Sequence, residues 1–538
     1  MTGPYHLEAL DAADRARLGP WVSNLDSPVF TLTGLSQVTA AALFARYSRS
    51  PKSLRRLLVD EFLEGEAAVG GEAPAGRDDA GRARATRLFG RVIAEYGDDS
   101  VAQLGGLHLA CEQVSQPLAK AIEWGRLAAY LEQSTRYIPY TDRRDGHYRY
   151  HRDPELMGSA HSSAYVAAMD GLFDAYVAML PRLREHLGQV LPEEADARAR
   201  ERAIRALALD LLRGLLPAGT VSNLGVFASP QALEQLVLRL RAHPLPEARS
   251  YAELIDRELQ AAIPELVTRL DRPDRGGVWE EYLRETALAL WGEAQRLLPA
   301  GGGEETAASV AVPPGDRVTL LRWDPDGEER IMAAALLPHA AVSMAEVVRA
   351  VGTLPEEERD RLFSAALGIR GNRRHRPGRG FEHTDYTFEL VSDYGAFRDL
   401  QRHRMLTIQW QELTPALGYA IPDGVAAAGL EGSWREAVER AEAAWEEVGR
   451  DLPEQAQYLV TLAHRVRYVI KLNAREALHL IELRTSPQGH PSYRRICREM
   501  LRQIDGVAGH HRVAAAMSFA GSVDVHLPRF ASEVGRGD

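Results

Sequence analysis

Residues 299–316, PAGGGEETAASVAVPPGD, constrain the fold more than any other stretch of the chain. A triple glycine and a double proline argue against a helix or strand here, because glycine is costly to order and proline lacks a backbone donor. We predict a linker at 299–316 that divides the 538 residues into a first half, 1–298, and a second half, 317–538. A chain of 538 residues is long enough for two or more packed units. A second stretch, at residues 64–87, is rich in Gly, Ala and charged residues and is typical of a surface loop or insertion. The sequence does not indicate its role.

Composition excludes several classes of protein. With 45% hydrophobic and 26% charged residues, the chain is typical of a globular protein. A formal charge of −11 argues against a nucleic-acid coat or a polybasic membrane binder. Two cysteines, Cys111 and Cys497, are too few for a disulfide framework, and no apolar run reaches eighteen residues, so we expect a cytoplasmic protein without membrane spans. Lysine occurs only at Lys52, Lys120 and Lys471, none of them in a phosphate-loop motif.

The two halves share an order of elements. In each, a long amphipathic helix is predicted first and a helix with arginine near its end follows. The first pair of segments is 118–137 and 394–413, and the second pair is 231–241 and 473–484. Superposing the second pair places Arg239 on Arg484. Since the spacing between the two helices is also similar, the pattern indicates an internal duplication.

Basic residues concentrate in the second half at Arg398, Arg402, His403 and Arg404. Consecutive side chains on a helix point about 100° apart, so the three at 402–404 cannot all lie on one solvated face. Arginine pointing inward would match phosphate in a bidentate way. A basic helix end with surface ion pairs is the other open interpretation.

Two further patterns flank this run. The Glu382-His383 pair precedes an alternating segment, 384–390, that predicts a half-buried strand with His383 at its entrance. A lone histidine is more often structural than functional, and we predict no metal site because no second and third ligand recur at useful spacing. Downstream, one polar helix face, lining a pocket or solvated, is predicted from Asn473, Arg475, His479 and Arg484.

The first half carries a different polar set. The string EQSTRY supplies Glu132, Ser134 and Arg136, and Arg213 stands just before an apolar Leu-Leu-Pro turn. Serine hydroxyl, arginine and backbone amides are suited to capturing phosphate. As an isolated string the pattern is unspecific.

Together these motifs resemble those of the flavin-dependent thymidylate synthases. That family combines a Glu-His pair, an Arg-His-Arg run followed after seven residues by Ser-x-Arg, and an Asn-x-Arg helix. The second half has the pair at 382–383, the run at 402–404 and Asn-x-Arg at 473–475, but Glu-Leu-Thr at 412–414 in place of Ser-x-Arg. The first half has Ser-Thr-Arg at 134–136, but Trp-Gly-Arg at 124–126 in the Arg-His-Arg position and Gln-Leu at 103–104 in the Glu-His position.

The resemblance implies two tandem repeats of an α+β fold, each an antiparallel sheet flanked by long helices. It also implies one composite site, because the losses in the two halves are complementary. Nucleotide would be held by Glu132, Ser134, Arg136 and Arg213, with Arg402 and Arg484 reaching its phosphate or base as the catalytic pair. FAD would be held by His383, Arg402, His403, Arg404, Asn473, Arg475 and His479. The implied reaction converts dUMP to dTMP with methylene tetrahydrofolate and NADPH as cosubstrates.

Departures from the family pattern keep alternatives open. Asp399 occupies a position that is commonly Gln, Gln457 occupies the position that corresponds to Arg213, and Gly489-His490 replaces a usual Ala-Gln pair. The protein could therefore act on another pyrimidine nucleotide, or bind flavin and nucleotide in a noncatalytic regulatory role. A nucleic-acid partner is disfavoured by the net acidity. We expect a homodimer that mimics the four-subunit assembly of the family.

Overall fold

The computed structural model describes residues 9–26, 30–47, 52–63, 103–194, 196–298, 315–521 and 528–534. The predicted insertion at 64–87 lies outside these residues, as does the predicted linker apart from Gly315 and Asp316. Among the described residues, the strands are β1 (Leu107–Val114), β2 (Ala128–Glu132), β3 (Ser222–Ala228), β4 (Arg317–Trp323), β5 (Asp385–Asp393), β6 (Thr407–Trp410) and β7 (Arg465–Asn473).

The helices of the described residues fall into the same chain order. Those before the linker are α1 (Ala12–Leu18), α2 (Gln37–Tyr47), α3 (Leu54–Leu57), α4 (Gln116–Glu123), α5 (Pro154–Gly158), α6 (Ser162–Val190), α7 (Ala197–Leu212), α8 (Pro230–Arg241), α9 (Pro246–Ala262) and α10 (Val278–Leu297). Those after it are α11 (Gly327–Leu336), α12 (Met344–Gly352), α13 (Glu356–Leu367), α14 (Tyr394–Gln401), α15 (Asp423–Ala427), α16 (Glu431–Val448), α17 (Pro453–Ala456), α18 (Ala474–Arg484), α19 (Pro491–Gly506), α20 (His511–Ala516) and α21 (Pro528–Val534). Within the part of the chain covered by these ranges, no helix has the length and apolarity needed to cross a bilayer.

The chain forms two compact units whose boundaries differ from those of the predicted halves. The first unit comprises Met1–Glu112, Leu127–Glu132 and Asn223–Ala300. Its sheet has the order β1-β3-β2, with β2 and β3 antiparallel from Ala128 opposite Ala228 to Glu132 opposite Leu224. Helix α8 of this unit packs against α9.

The second unit comprises Gln113–Arg126, Gln133–Ser222 and Gly301–Asp538, so it contains segments from both halves of the sequence. Its sheet has the order β4-β5-β7-β6, and every pairing in it is antiparallel. Alternate residues of β5, including Tyr386, Phe388 and Leu390, are fully buried. Helix α19 contacts β4 and β5, while the long helices α6 and α16 pack against each other.

The two sheets reveal the duplication predicted from the sequence. The order β1-β3-β2 in one is matched by β5-β7-β6 in the other, and β4 is added at the edge beside β5. A helix follows the first strand of each trio directly, and each begins at a polar cap, Ser115 for α4 and Asp393 for α14. Helices α8 and α18 follow the third strands. The predicted α+β class with antiparallel sheets and long helices is confirmed.

Two predicted helices are wrong in their C-terminal parts. The segment 118–137 is helical only to Glu123, and it turns at residues 125–127 before β2. The segment 394–413 is helical only to Gln401, and β6 begins at Thr407. In both, a short turn interrupts an apolar periodicity that a strand also satisfies: Trp-Gly-Arg-Leu at 124–127 and Arg-His-Arg-Met at 402–405. The strand predicted at 384–390 and the helices predicted at 231–241 and 473–484 agree with β5, α8 and α18.

Corresponding turns of the two halves meet inside the second unit. Short 3₁₀ helices at Arg213–Leu215 and Gln457–Leu459 are followed by extended segments that hydrogen-bond to each other. Leu462 N donates to Leu216 O at 2.9 Å, and Ala218 N donates to Val460 O at 2.7 Å. This backbone pairing fixes Arg213 of the first half beside the second-half strands and helices.

Candidate active site

Arg136 of the first half is held rigidly among second-unit side chains. Ser134 Oγ accepts from the backbone N of Arg136 at 3.2 Å, which shapes the turn. The guanidinium then donates through Nε and Nη2 to the two carboxylate oxygens of Asp210, at 2.6 and 2.8 Å. Its Nη1 donates to the hydroxyl of Tyr493 at 3.0 Å, and its Nη2 also donates to Gln488 O at 2.9 Å. Segments more than 350 residues apart in the sequence thus meet at one arginine.

Arg213 lies deeper, with only 3% of the residue exposed. Its Nη1 donates to Asp399 Oδ2 at 3.2 Å. Its Nη2 is buried and finds no hydrogen-bond partner in the described part of the chain. Gly395 leaves the space for this guanidinium, since a Cβ there would lie 3.0 Å from Nη2. A buried donor without an acceptor is costly, so its presence points to a ligand that supplies the acceptor.

Asp399 is the centre of an arginine cluster. Besides Arg213, its carboxylate faces Arg402 Nη1 at 3.5 Å and Arg484 Nη1 at 3.8 Å. Burial alone would raise the pKa of Asp399, but the guanidiniums of Arg402, Arg213 and Arg484 hold it far below its usual range. Asp399 is therefore ionised at any working pH.

The charges of this cluster do not cancel. Four arginines, 136, 213, 402 and 484, face the carboxylates of Asp210 and Asp399, and buried Asp393 adds a third carboxylate near Arg213, which leaves a net charge of +1. Burial lowers the pKa of His490 well below its usual range, so this neighbouring imidazole is neutral. A phosphate monoester carries about −1.5 to −2 at pH 7 and would be attracted by this excess of positive charge. The cluster is thus suited to a phosphorylated ligand.

A second group of side chains extends from Arg484 along α18. The Nε of Arg484 donates to His403 Nε2 at 3.0 Å, so His403 carries its proton on Nδ1 and donates it to Glu476 Oε1 at 2.7 Å. The ring of His479 lies 5.3 Å from that of His403. Burial lowers the pKa of His479 to about 4 and that of His403 well below its usual range. Both imidazoles are neutral at pH 7.

His403, Glu476 and His479 bring their ligand atoms within 4.8 Å of one another, a geometry that could hold a metal ion. The sequence predicted no metal site because no ligands recur at useful spacing, and spacing could not reveal His403 meeting α18 from another segment. The surroundings oppose a cation, since Arg484 contacts His403 and Arg376 Nη2 lies 3.1 Å from His479 Nε2. The local field favours an anionic or electron-rich ligand.

The remaining residues predicted for flavin lie at the N-terminal end of α18. Asn473 caps the helix, its Oδ1 accepting from Glu476 N at 2.9 Å. Arg475 donates to Pro377 O at 2.8 Å and to Glu382 Oε1 at 3.3 Å. The neighbouring His383 is exposed. From Asn473 to Arg484 the helix face spans about 16 Å, at 1.5 Å per residue.

Two predicted residues need separate mention. Arg404, beside the cluster, is half-buried and follows the end of α14, so the Arg-His-Arg run lies in a turn and not on a helix as predicted. Glu132 ends β2 in the first unit, opposite Leu224. The structure therefore brings together Arg136, Arg213, Arg402, His403, His479 and Arg484, with Ser134 next to the first of these.

Sequence reasoning missed Asp210, Glu476 and Tyr493. A signal existed for Asp210, which is a lone carboxylate among apolar residues in LALDLL, whereas Glu476 directly follows Arg475 and carries no such signal. Lone acids in such stretches are buried only when paired. Nothing local marks Tyr493, whose role depends on Arg136 arriving from the other half.

Fold and site together define a class of protein: a duplicated α+β chain with an arginine cluster that is built from residues of both halves and has the charge to attract an anion. Comparison with known proteins agrees with the duplication, since the profile of the family described as "Thymidylate synthase complementing protein" matches twice, at residues 37–265 and 319–508. The chain belongs to this family.

Relatives span almost the whole chain. A UPF0159 protein of Chlamydia muridarum is 37% identical over 523 residues, covering 96% of this chain and 97% of its own. A UPF0159 protein of Thermoplasma acidophilum is 30% identical over 530 residues, covering 92% of this chain and 98% of its own. Among solved structures, a UMP/dUMP methylase PolB from Streptomyces cacaoi bound with 5-Br dUMP covers 37% of this chain and 95% of its own, with 16% identity and a TM-score of 0.28. Similarity at that level supports no inference about this chain.

Proposed function

We propose that the protein converts dUMP to dTMP, with methylene tetrahydrofolate as carbon donor, NADPH as reductant and FAD as cofactor. The single observation that carries this proposal is the convergence of Arg136 and Arg213 from the first half with Arg402 and Arg484 from the second on Asp210 and Asp399. The excess positive charge of this cluster suits a nucleoside monophosphate, and family membership supports the pyrimidine. The arrangement favours the composite site predicted from the sequence.

Arginines of the cluster have distinct tasks in this proposal. The unsatisfied Nη2 of Arg213 would bind a phosphate oxygen, and so would the second Nη1 hydrogen of Arg136, whose Nε and Nη2 are already held by Asp210 and Gln488. Arg402 is the most accessible of the four, with 38% of its side chain exposed, and would reach the pyrimidine with Arg484. Cations near the ring carbonyls would stabilise negative charge developing at C5, an effect often worth about 3 kcal/mol in such sites.

The residues along α18 are chemically suited to a flavin. His403 and His479 present neutral imidazole rings, while Arg402 and Arg484 supply positive charge beside them. Such charge stabilises an electron-rich reduced isoalloxazine. When bound there, the flavin would supply the hydride that completes the new methyl group. Asn473, Arg475 and His383 would extend the contacts toward the other end of the helix.

Neither cysteine can serve as the nucleophile of an alternative route. Cys111 and Cys497 are 1% and 0% exposed, and burial raises the pKa of each thiol to about 12. The reactive form of cysteine is the thiolate, which is absent at pH 7 under these conditions. This agrees with a reaction in which the protein positions and polarises the pyrimidine without attacking it.

The reciprocal positions favour a single site per chain. Trp124 packs edge-to-face on Trp410 at 6.3 Å, and Arg126 is turned toward backbone, donating to Leu406 O at 3.3 Å. Burial raises the pKa of Glu412 at the position where the family has serine. Gln457 accepts from Leu413 N and supplies no charge. Trp124, Arg126 and Gln457 thus contact other residues of the protein at the positions where the opposite pair of motifs would have formed a second site.

The experiment that tests the proposal uses the purified full-length chain. We expect a yellow protein with bound flavin that converts dUMP to dTMP only when methylene tetrahydrofolate and NADPH are both present. Protein that takes up no added flavin would refute the enzyme proposal. If the protein binds flavin and dUMP but forms no dTMP, the result would instead favour another pyrimidine nucleotide as substrate or a regulatory role. Asp399 is the reason to consider these alternatives, because it places a carboxylate where the family commonly has the amide of Gln. Cytoplasmic location and a homodimer stay predictions of the sequence.

A further inference from the structure

A strongly cationic loop lies beside the proposed flavin residues and has no part in the function proposed above. Residues 369–379, IRGNRRHRPGR, contain five arginines and no carboxylate, in a chain whose net charge is −11. The loop connects α13 to the 3₁₀ turn Arg379–His383. Such a local excess of charge in an acidic protein calls for an explanation other than overall composition.

The loop is anchored and preorganised. Arg370, with 5% of its side chain exposed, forms a bidentate pair with buried Glu482, at 2.8 and 2.6 Å. His375 folds back on the start of the loop, its Nδ1 accepting from Gly371 N at 3.1 Å. Pro377 O accepts from Arg475, which ties the far end to α18. A ligand binding here would order little backbone, so less affinity is lost to entropy.

Among the described contacts, three of the five arginines have no carboxylate partner: Arg376, which contacts neutral His479, and Arg373 and Arg374. Arg370 is paired with Glu482, and Arg379 is paired with Glu382 at 2.9 Å. In the ranges the structure describes, the side chains of Arg373 and Arg374 form no ion pair or hydrogen bond, and Arg374 is exposed. Many other exposed arginines of the chain, such as Arg361, pair with a nearby carboxylate. Neighbouring guanidiniums without carboxylate partners attract anions.

The position of the loop indicates what the anion belongs to. Arg376 contacts both ring nitrogens of His479, at 3.1 and 3.2 Å, so the loop borders the proposed flavin residues directly. Arg374 is exposed, and half-buried Arg373 is close enough to His479 for its charge to act on that imidazole. The two cations therefore extend from the proposed flavin residues to solvent, where a charged extension of a bound molecule would lie.

We propose that loop 369–379 binds the polyanionic tail of a cosubstrate, through Arg373 and Arg374. The shared chemistry is a chain or cluster of two or more negative charges. Two sources could supply it: the γ-linked carboxylates of a polyglutamylated folate, or the 2′-phosphate end of the nicotinamide nucleotide. The assignment to a cosubstrate rests on the proposed function, whereas the anion site itself rests on the loop alone.

The test compares the full-length wild type with the double variant Arg373→Gln, Arg374→Gln. Binding of a penta-γ-glutamate peptide and of 2′,5′-ADP is measured by calorimetry at low and high salt. We expect wild type to bind at least one probe with an affinity that falls with salt, and the double variant to bind that probe about fivefold more weakly, since exposed charge pairs each contribute only modestly. Arg361→Gln, an exposed arginine with a partner, is the matched control and should bind like wild type.

Steady-state kinetics identify which cosubstrate supplies the polyanionic tail. If the tail is folate, the double variant raises KM for pentaglutamyl but not monoglutamyl methylene tetrahydrofolate; if it is the 2′-phosphate, KM rises for NADPH but not NADH. The anion site would be overturned if the wild type bound neither probe. It would also be overturned if the double variant bound the probe as tightly as wild type and had an unchanged melting temperature. A chain that binds the probes in this way yet forms no dTMP would refute the proposed function and leave the anion site standing.

Discussion

Arg213→Gln should weaken nucleotide binding strongly while leaving the fold almost as stable as before. Arg213 is buried, makes one hydrogen bond to Asp399 at 3.2 Å, and leaves Nη2 unsatisfied. Burial also lowers the pKa of this guanidinium, which reflects the cost of keeping it charged without water. The structure therefore gives Arg213 little to contribute to the folded state in the absence of a ligand.

The magnitudes follow from the contacts. Removing one member of a buried ion pair costs about 3–5 kcal/mol when the other charge is left alone. Asp399 keeps Arg402 and Arg484 at 3.5 and 3.8 Å, so we expect the free energy of unfolding to change by less than about 1.5 kcal/mol. Lost hydrogen bonds from a cation to phosphate are worth about 1.5–3 kcal/mol, which corresponds to a dissociation constant for dUMP about 10 to 150 times higher.

Urea unfolding and calorimetric titration with dUMP measure the two quantities on the same preparations. The matched control is Gln457→Ala, which alters the corresponding 3₁₀ turn of the second half; it should leave dUMP affinity unchanged. If Arg213→Gln lowers the free energy of unfolding by about 3 kcal/mol or more and leaves the affinity for dUMP unaltered, Arg213 is structural and the reasoning from its unsatisfied Nη2 is wrong.

Three further predictions concern the surroundings of this cluster. Because burial holds the pKa of His479 at about 4, below its unfolded value, the unfolded chain binds more protons between pH 4 and 6.5; stability should fall as pH drops through that window, and His479→Gln should flatten the fall in pH-dependent melts. Glu476→Ala should lower kcat about 10- to 100-fold with dUMP affinity within twofold, and Glu476→Gln should restore most of the rate because an acceptor for His403 Nδ1 returns; equal loss in both variants would contradict a positioning role. Trp124→Ala and Glu412→Ala should leave dUMP binding and turnover within about twofold, and a large loss in either would reveal a working second site.

The local elements were largely predictable because their patterns are self-contained. Helix α18 and strand β5 follow directly from their periodicity, and Asn473 caps its helix as residues of this type do. The helix predicted at 118–137 was wrong because the apolar side chains around β2 satisfy helical and strand spacing alike, and pairing with β3 decided between them.

The site could be predicted only in part. The resemblance supplied Arg136, Arg213, Arg402 and Arg484 as candidates, but the carboxylates that arrange them come from distant segments. Asp210 lies 74 residues from Arg136, and no local pattern joins them. Side chains that meet through long-range packing leave no periodicity, so their pairing needed the three-dimensional structure.

The measurement closest to the central claim is the number of dUMP molecules bound per chain, obtained by calorimetry with the flavin-loaded protein. One composite site predicts one dUMP per chain, with binding weakened at least tenfold by Arg136→Ala in the first half and by Arg402→Ala in the second. Two dUMP per chain, or one whose affinity neither substitution changes, would contradict a site built from both halves.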